Sequence, residues 1–372
     1  MIYFDYAAST PISEASKDAI LQCLSSPYLN ANPNSTGYIN GIRSKQAIET
    51  ARSDILDALG LSQTHYLIFT SGATESINIV NQGAYRSYKR SLQQLLCIRT
   101  DHKATIACIE GMRDTIQTNM IDVHPTGEIN FESLSHHLSK GLSLLNVCGL
   151  NNETGVESPL NNVSQVAKKF GALVHIDASQ MIGKMAINDL HCGDFISISS
   201  HKFYGPKGIG ALAIKKTRKL SAIFFGSDQE YAIRPGTLPT HQILGMHAAL
   251  VTTIKEFKNT SQKIANFSSQ LRAFFESHGC VINGKDTNPY ILSIRLPEAV
   301  DLDKLSHESA DKIAFSYGSA CQSKSILPSH VLTAMGQESS KARRTIRVSL
   351  GAQTSEDHLD YLYQFFLSFL ST

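Results

Sequence analysis

Residues 194–210 read "DFISISSHKFYGPKGIG", a short apolar run followed by two serines, a histidine, a lysine and a glycine-rich stretch. The run at 194–202 is short and bounded by polar residues, which is typical of a buried strand. Lys202 follows His201 and precedes Phe203, where an ordinary surface lysine gains nothing from its neighbours. The local sequence leaves two interpretations equally open: a loop lysine, or a lysine placed at a strand end for chemistry.

Four similar apolar runs precede this one, and amphipathic stretches such as 103–114 and 163–171 lie between them. The runs are "HYLIFTSG" (65–72), "LLCIRT" (95–100), "SLLNVCGLNN" (143–152) and "ALVHIDAS" (172–179). Alternating strands and helices favour an α/β fold with a mostly parallel sheet covered on both faces. We predict that this sheet occupies residues 13 to about 245.

The pattern changes near residue 240, where a long helical stretch begins. Strand-like runs follow at 290–296 and 345–351, and a closing helix is predicted over 355–370. A chain of 372 residues exceeds the usual size of a single core. We therefore predict a large domain at 13–245 and a smaller α+β domain built from 1–12 and 246–372.

The composition excludes several functional classes. Hydrophobic residues make up 42% and charged residues 18% of the chain, and the formal net charge is +2, so direct nucleic-acid binding is not expected. No apolar run approaches the ~20 residues that span a bilayer, so no membrane contact is expected. The seven cysteines form no CxxC pair and no metal-ligand spacing, which fits a reducing cytoplasm and predicts no metal site.

Polar residues follow several of the predicted strands. The turn Thr70–Thr74 precedes a helix, so its N–H groups suit a phosphate or a plain helix cap. His102, Asn151–Glu153, Asp177 and Gln180 follow other strands, and each alone is best interpreted as a loop or capping residue. Because strand ends of a parallel sheet converge, the set is expected to meet at Lys202. A lysine for a Schiff base, a carboxylate for a pyridine nitrogen and a phosphate cradle together predict pyridoxal phosphate.

The sequence resembles the cysteine desulfurases, which are class V aminotransferase-like, fold-type I pyridoxal phosphate enzymes. Matching motifs run nearly end to end. They are "YFDYAASTP" (3–11), "NPNSTGYINGIR" (32–43), "FTSGATESIN" (69–78), "DHKA" (101–104), "NNETGVESPL" (151–160), "HIDASQMIGK" (175–184), "SSHKFYGPKGIGAL" (199–212), "RPGTLP" (234–239), "YGSACQS" (317–323) and "TIRVSLG" (345–351). The sequence departs from the family pattern in two loops, with Ser227-Asp228 in place of glycines and Gly37 in place of a histidine.

The resemblance implies a role for each matching position. Lys202 would form the Schiff base and move the substrate proton, Asp177 would pair with the pyridinium, and Gln180 would donate to the ring hydroxyl. His102 would stack on the ring and assist catalysis by taking a proton. The phosphate would be bound by Ala73, Thr74, Ser199 and His201. Thr237 would reach the phosphate from a second subunit of a homodimer. The substrate would be bound by Asn152, Arg347 and Asn34, with Asn152 also near the cofactor.

Cys321 selects among the reactions of the family. Its small neighbours, Gly318 to Ala320, suit a loop that swings between a substrate and an outside acceptor. The other six cysteines are predicted to be structural. The resemblance implies that L-cysteine loses its sulfur to the Cys321 thiolate, which leaves L-alanine and a persulfide that passes to a sulfur-acceptor protein.

Several alternatives remain open at this stage. A transaminase or a selenocysteine lyase would use the same lysine and aspartate, and a silent scaffold would be free to lose them. The chain also ends soon after the closing helix, whereas housekeeping members of the family carry a further docking segment. We therefore expect a dedicated acceptor, such as a DNA or RNA sulfur-modification system, with general iron–sulfur cluster assembly as the alternative.

Overall fold

The computed structural model describes residues 1–317 and 328–370. Within these ranges the chain forms strands of two to six residues in three sheets. The strands are β1 (Ile2–Tyr3), β2 (His65–Thr70), β3 (Gln94–Ile98), β4 (Gln117–Ile121), β5 (Ser143–Cys148), β6 (Leu173–Asp177), β7 (Phe195–Ser199), β8 (Gly210–Lys215), β9 (Val281–Ile282), β10 (Ile291–Arg295), β11 (Ile313–Ala314), β12 (Ser316–Tyr317) and β13 (Thr345–Ser349).

Helices connect most of the strands of the large sheet. Several begin at a side-chain cap; Asn130, for example, accepts hydrogen bonds from the backbone N–H groups of Glu132 and Ser133. No helix in the described ranges is long and apolar enough to cross a membrane. The helices are α1 (Glu14–Ser25), α2 (Ile39–Ala58), α3 (Ala73–Ser87), α4 (Lys103–Glu110), α5 (Phe131–Leu138), α6 (Leu160–Lys169), α7 (Thr240–Ser277), α8 (Leu302–Ser309), α9 (His330–Ala334), α10 (Ser339–Arg343) and α11 (Glu356–Leu370).

The large sheet has seven strands in the order β2-β8-β7-β6-β5-β3-β4. β8 is antiparallel to both of its neighbours, and the other pairings are parallel. Each of the five predicted runs contains one of these strands, so the mostly parallel α/β fold is confirmed. The sequence patterns missed β4, a polar edge strand, and β8, which follows the glycine-rich stretch.

Side chains of the large sheet alternate between two hydrophobic clusters, as the twofold period of a strand requires. In β3, Leu95 and Cys97 join the cluster that contains Ile79 of α3. Leu96 and Ile98 point to the opposite face and join the cluster shared with α2, α6 and α7. Burial on both faces holds the strand ends in register and so fixes the edge where the polar residues lie.

A second, antiparallel sheet has the order β12-β13-β10-β9. The N-terminal residues join this part of the molecule, because β1 pairs with β11 and Asp5 bridges to Ser349. α7 runs unbroken through the predicted boundary between residues 245 and 246 and packs on α1 and α2 as well as on β10 and α11. The division into domains stays a prediction.

Candidate active site

A cavity of about 580 Å³ opens at the carboxyl ends of the large sheet. β2, β6 and β7 each end at its wall, which places residues distant in the sequence side by side. The cavity brings together most of the predicted site residues: Ala73, Thr74, His102, Asn152, Asp177, Gln180, Ser199, His201 and Lys202.

Lys202 lies in a short 3₁₀ turn that directly follows β7. Its Nζ donates hydrogen bonds to the backbone carbonyls of Ala7 and Ala8, both at 2.8 Å. Burial, together with the positive charge of Arg347, lowers the pKa of the Lys202 amine from 10.5 to about 8, although Asp177 and Asp5 act in the opposite direction. An amine with this pKa is neutral, and therefore nucleophilic, in about a tenth of molecules at pH 7, a far larger fraction than for a lysine with the ordinary pKa.

Asp177 is the last residue of β6 and is buried at the floor of the cavity. Its Oδ1 accepts hydrogen bonds from the backbone N–H of Ser179 at 3.0 Å and from the Ser179 hydroxyl at 2.6 Å. Gln180, on the same turn, donates from Nε2 to the Ala7 carbonyl at 2.7 Å, and its Oε1 is buried without a partner in the described part of the chain. An unsatisfied buried oxygen beside an ionisable carboxylate points to a missing polar ligand.

His102 is the N-cap of α4, and its Nδ1 accepts a hydrogen bond from the Ala104 N–H at 3.1 Å. Burial lowers the pKa of His102, so the ring is neutral, and acceptance at Nδ1 places the remaining proton on Nε2. This arrangement supplies an N–H donor. The predicted role as a proton acceptor therefore requires a change of tautomer, or loss of the Ala104 bond.

The turn between β2 and α3 forms a backbone cradle. Gly72 has φ 151°, which favours glycine, and a Cβ on Gly210 would lie 2.7 Å from the Gly72 Cα. This close approach brings β8 against the first turn of α3, whose leading N–H groups have no partner within the helix and can bind an anion. His201 lies beside it with Nδ1 3.2 Å from the Ser9 hydroxyl. Burial lowers the pKa of His201 to about 4, so the ring is neutral.

Arg347, on β13, lies behind Asn152 and outside the cavity wall. Its Nη2 pairs with Asp5 Oδ1 at 2.6 Å, and its Nη1 donates to the Asn152 carbonyl at 2.9 Å. Its Nε is buried without a partner among the described residues. The sequence motifs contained Asp5, but no role was predicted for it. The aspartate in "YFDYAASTP" was the available signal.

Arg347 and two further predicted site residues, Thr237 and Asn34, are not brought into this cavity. Thr237 is absent from its wall, and Asn34 lines a separate cavity with Arg52 and Glu230. Their predicted roles in the site therefore stay predictions. Cys321 lies outside the described residues. In the described ranges no group of three or more His, Cys, Asp or Glu side chains could hold a metal ion.

Comparison with known proteins identifies the family. The family model for class V aminotransferases matches residues 2–362, so the chain belongs to that family. A curated relative, cysteine desulfurase IscS of Pseudoalteromonas translucida, is 33% identical over 368 residues, which cover 97% of this chain and 90% of the relative.

Solved structures agree with this assignment. A NifS-like protein superposes with a TM-score of 0.91 at 27% identity and covers 100% of this chain and 99% of its own. The structure of SspA in complex with cysteine superposes with a TM-score of 0.80 at 28% identity, and the match covers 94% of this chain and 99% of SspA. DndA from Streptomyces lividans superposes with a TM-score of 0.78 at 30% identity, and the match covers 92% of this chain and 97% of DndA. These comparisons confirm the predicted family, fold class, enzyme class and cofactor, pyridoxal phosphate.

The cavity fits pyridoxal phosphate on observations of this chain alone. The backbone cradle, with the neutral ring of His201 beside it, suits a phosphate. Asp177 offers a buried carboxylate to a ring nitrogen. Gln180 Oε1, which has no partner among the described residues, can accept a hydrogen bond from a ring hydroxyl. Alternatively, the second hydrogen on Gln180 Nε2 can donate to the oxygen of that hydroxyl.

The lowered pKa of Lys202 predicts how the cofactor-free protein gains its cofactor. Only the neutral amine attacks an aldehyde, so the rate of pyridoxal phosphate capture should rise with pH and reach a plateau with a midpoint near 8. Stopped-flow absorbance of the lysine-bound cofactor measures this rate, and Nα-acetyl-lysine in the same buffers corrects for titration of the cofactor. A rate that still climbs towards pH 10 would contradict the assigned environment of Lys202.

Proposed function

We propose that this protein is a cysteine desulfurase that uses pyridoxal phosphate to remove sulfur from L-cysteine, giving L-alanine and a persulfide on Cys321. The observation that carries the proposal is the buried amine of Lys202, with a lowered pKa, in one cavity with Asp177 and an anion cradle. The chain's 33% identity to a cysteine desulfurase selects this reaction among those of the class V family.

Each side chain of the cavity is assigned a task toward the cofactor. Lys202 would hold it covalently, Asp177 would pair with its ring nitrogen, and His102 would lie against the ring. Bound pyridoxal phosphate supplies an electron sink for negative charge at the substrate α-carbon. The phosphate is assigned to Ala73, Thr74, Ser199 and His201, with Thr237 contributed by a second copy of the chain.

The substrate is held through its α-carboxylate. Arg347 offers a planar guanidinium for bidentate binding, and its buried Nε has no partner among the described residues. Asn152 lies next to it, joined through its carbonyl, and lines the cavity. Asn34 is assigned to the substrate site of a second copy, since it lies away from the cavity of its own chain. The free amine of Lys202 would remove the α-proton.

Sulfur transfer is assigned to the Cys321 thiolate. Its sulfur forms an S–S bond with the substrate sulfur while the substrate C–S bond breaks, and the electron pair of that bond goes to the substrate β-carbon. Protonation of this carbon and return of the α-proton from Lys202 to the α-carbon complete L-alanine, and the sulfur stays on Cys321 as a persulfide. In the described part of the chain the six other cysteines are all buried, and burial raises the pKa of Cys97 and Cys148, the latter beside the cavity, well above 9.

Replacement of Cys321 tests this assignment. The Cys321→Ser protein should bind pyridoxal phosphate and L-cysteine normally, because Cys321 acts only after the α-proton has left. Persulfide formation, followed by mass spectrometry of the intact protein and by alanine release, should stop. Cys192→Ser is the matched control and should keep both persulfide formation and alanine release. Normal persulfide transfer by Cys321→Ser would show that another thiol receives the sulfur.

Replacement of Arg347 tests how the substrate is held. Loss of a buried charge-assisted contact costs about 2–5 kcal/mol, so Arg347→Ala should raise the KM for L-cysteine strongly and leave the cofactor absorbance unchanged. Binding of cysteamine, which has no carboxylate, should be unaffected in the same variant. Arg343→Ala, at an exposed position, is the control. Unchanged saturation of Arg347→Ala by L-cysteine would assign the carboxylate to another residue.

The working context of the enzyme is also a proposal. We infer a homodimer, which would sediment at twice the chain mass of 40.7 kDa, and a cytoplasmic location. The acceptor is proposed to be a dedicated sulfur-modification partner. DndA, at 30% identity, is a structural neighbour, while the 33% identity to an IscS protein keeps general iron–sulfur assembly as the alternative.

A competition experiment separates the two acceptors. Protein carrying ³⁵S-labelled persulfide on Cys321 is offered, in equal amounts, an iron–sulfur scaffold protein and the proteins encoded beside this one. The dedicated-partner proposal predicts that label moves to a neighbouring gene product at least several-fold faster. The Cys321→Ser protein provides the background. Faster transfer to the scaffold would reject the dedicated partner.

A further inference from the structure

The segment from Asp228 to Thr237 contains a strained stretch that neighbouring side chains must hold in place. Glu230, Tyr231 and Ala232 have φ values of 49°, 59° and 58°, and none of them is glycine. Left-handed conformations of such residues are disfavoured and persist only where surrounding contacts enforce them. The same segment carries Thr237, the residue assigned to the phosphate of a second copy.

One of these contacts is a buried ion pair. Arg52 Nη1 and Nη2 donate to the two carboxylate oxygens of Glu230 at 2.9 and 2.7 Å. Glu230 Oε2 also accepts the backbone N–H of Phe69, and Arg52 Nη1 donates to the Leu67 carbonyl. Both backbone groups belong to β2, so the strained stretch is fixed to the strand that leads into the anion cradle.

A second ion pair reaches the cradle itself. Arg234 Nε donates to Glu75 Oε1 at 2.9 Å, and Glu75 Oε2 accepts the backbone N–H of Ser71 at 2.5 Å. Glu75 lies in the first turn of α3 and lines the cavity. Its carboxylate therefore joins the segment of Thr237 to the turn assigned to the phosphate.

The charge of Glu75 is a problem for a phosphate site unless it is compensated. Burial acts to raise the pKa of Glu75, but hydrogen bonds from Arg234 and Ser71 outweigh it and lower that pKa below its ordinary value. The group is thus an anion at neutral pH. A phosphate bound at the same helix terminus would be repelled by an isolated carboxylate, since charges at short range in a partly buried site interact strongly.

We propose that Arg234 is a positioning residue that neutralises Glu75 and so allows the cradle at Ser71–Thr74 to accept a phosphate group, while its ion pair fixes the Thr237 segment against that cradle. The proposal rests on the proposed function, because the phosphate concerned is that of pyridoxal phosphate. It assigns to the arginine of "RPGTLP" an electrostatic task within its own chain, separate from that of Thr237.

A double-mutant cycle with two cofactor forms tests the proposal. The dissociation constants of pyridoxal phosphate and of pyridoxal, which lacks the phosphate, are measured by absorbance for wild type, Arg234→Met, Glu75→Gln and the double variant. Arg234→Met should weaken pyridoxal phosphate binding on the order of tenfold or more. Glu75→Gln should bind it as well as wild type or more tightly, and the double variant should return close to Glu75→Gln.

Pyridoxal distinguishes an electrostatic effect from general damage. Its affinity should be the same in all four proteins, since it brings no phosphate charge. Arg86→Met is the matched control: Arg86 lies on α3 and donates to the Ala222 carbonyl at 2.7 Å, away from the cavity wall. It should bind both forms like wild type.

Three results would overturn the inference: normal pyridoxal phosphate binding by Arg234→Met, an equal loss for pyridoxal, or a double variant as weak as Arg234→Met. Failure of the proposed function would look different. In that case wild type would fail to convert L-cysteine to L-alanine, whatever the four proteins show for pyridoxal phosphate and pyridoxal.

Discussion

The site depends on the contact between Lys202 and the N-terminal segment. The amine of Lys202 reaches out of the large sheet and donates to the carbonyls of Ala7 and Ala8. The same segment accepts a hydrogen bond from Gln180 at Ala7, and its Thr10 donates to the His201 carbonyl. It is tied in turn to β13 through the Ser349 hydroxyl, which accepts the Ala7 N–H. A segment only a few residues long thus joins Lys202, proposed to hold the cofactor, to the strand that carries Arg347, proposed to bind the substrate.

Two arginines near the site are paired with carboxylates before any ligand binds. Arg347 is paired with Asp5, and Arg234 with Glu75. Lys202 has no such ion pair among the described residues, and burial lowers its pKa instead. Lys184, also buried, donates to the Lys202 carbonyl and has a pKa lowered to about 7. The anionic cofactor therefore enters a cavity whose fixed cations are partly compensated, and the nucleophilic amine is available without first losing a strong counterion.

Much of this arrangement could be predicted from the sequence because it depends on local patterns. Short apolar runs ending in polar residues located β2, β3, β5, β6 and β7, and the ends of three of them carry the cradle, Asp177 and Lys202. The cavity gathers nine of the predicted site residues.

The sequence patterns did not predict β8, because glycines surround it, or β4, because polar residues interrupt its apolar run. The ion pairs of Asp5 with Arg347 and of Arg234 with Glu75 were not predicted, because the partners are distant in the sequence and no local pattern indicates such a pairing. The role predicted for Thr237 involves a second subunit, and the role predicted for Asn34 is proposed to do so, so a single chain does not test either of them.

The central claim is that Lys202 bonds covalently to pyridoxal phosphate in the cavity at the end of the large sheet. Reduction of the cofactor-loaded protein with sodium borohydride fixes the cofactor to whichever amine holds it, and peptide mapping by mass spectrometry then locates it. Our account predicts one phosphopyridoxyl group per chain, on Lys202. Modification of Lys184 or Lys207, the other lysines nearest the site, or retention of cofactor without any reduced lysine adduct, would contradict it.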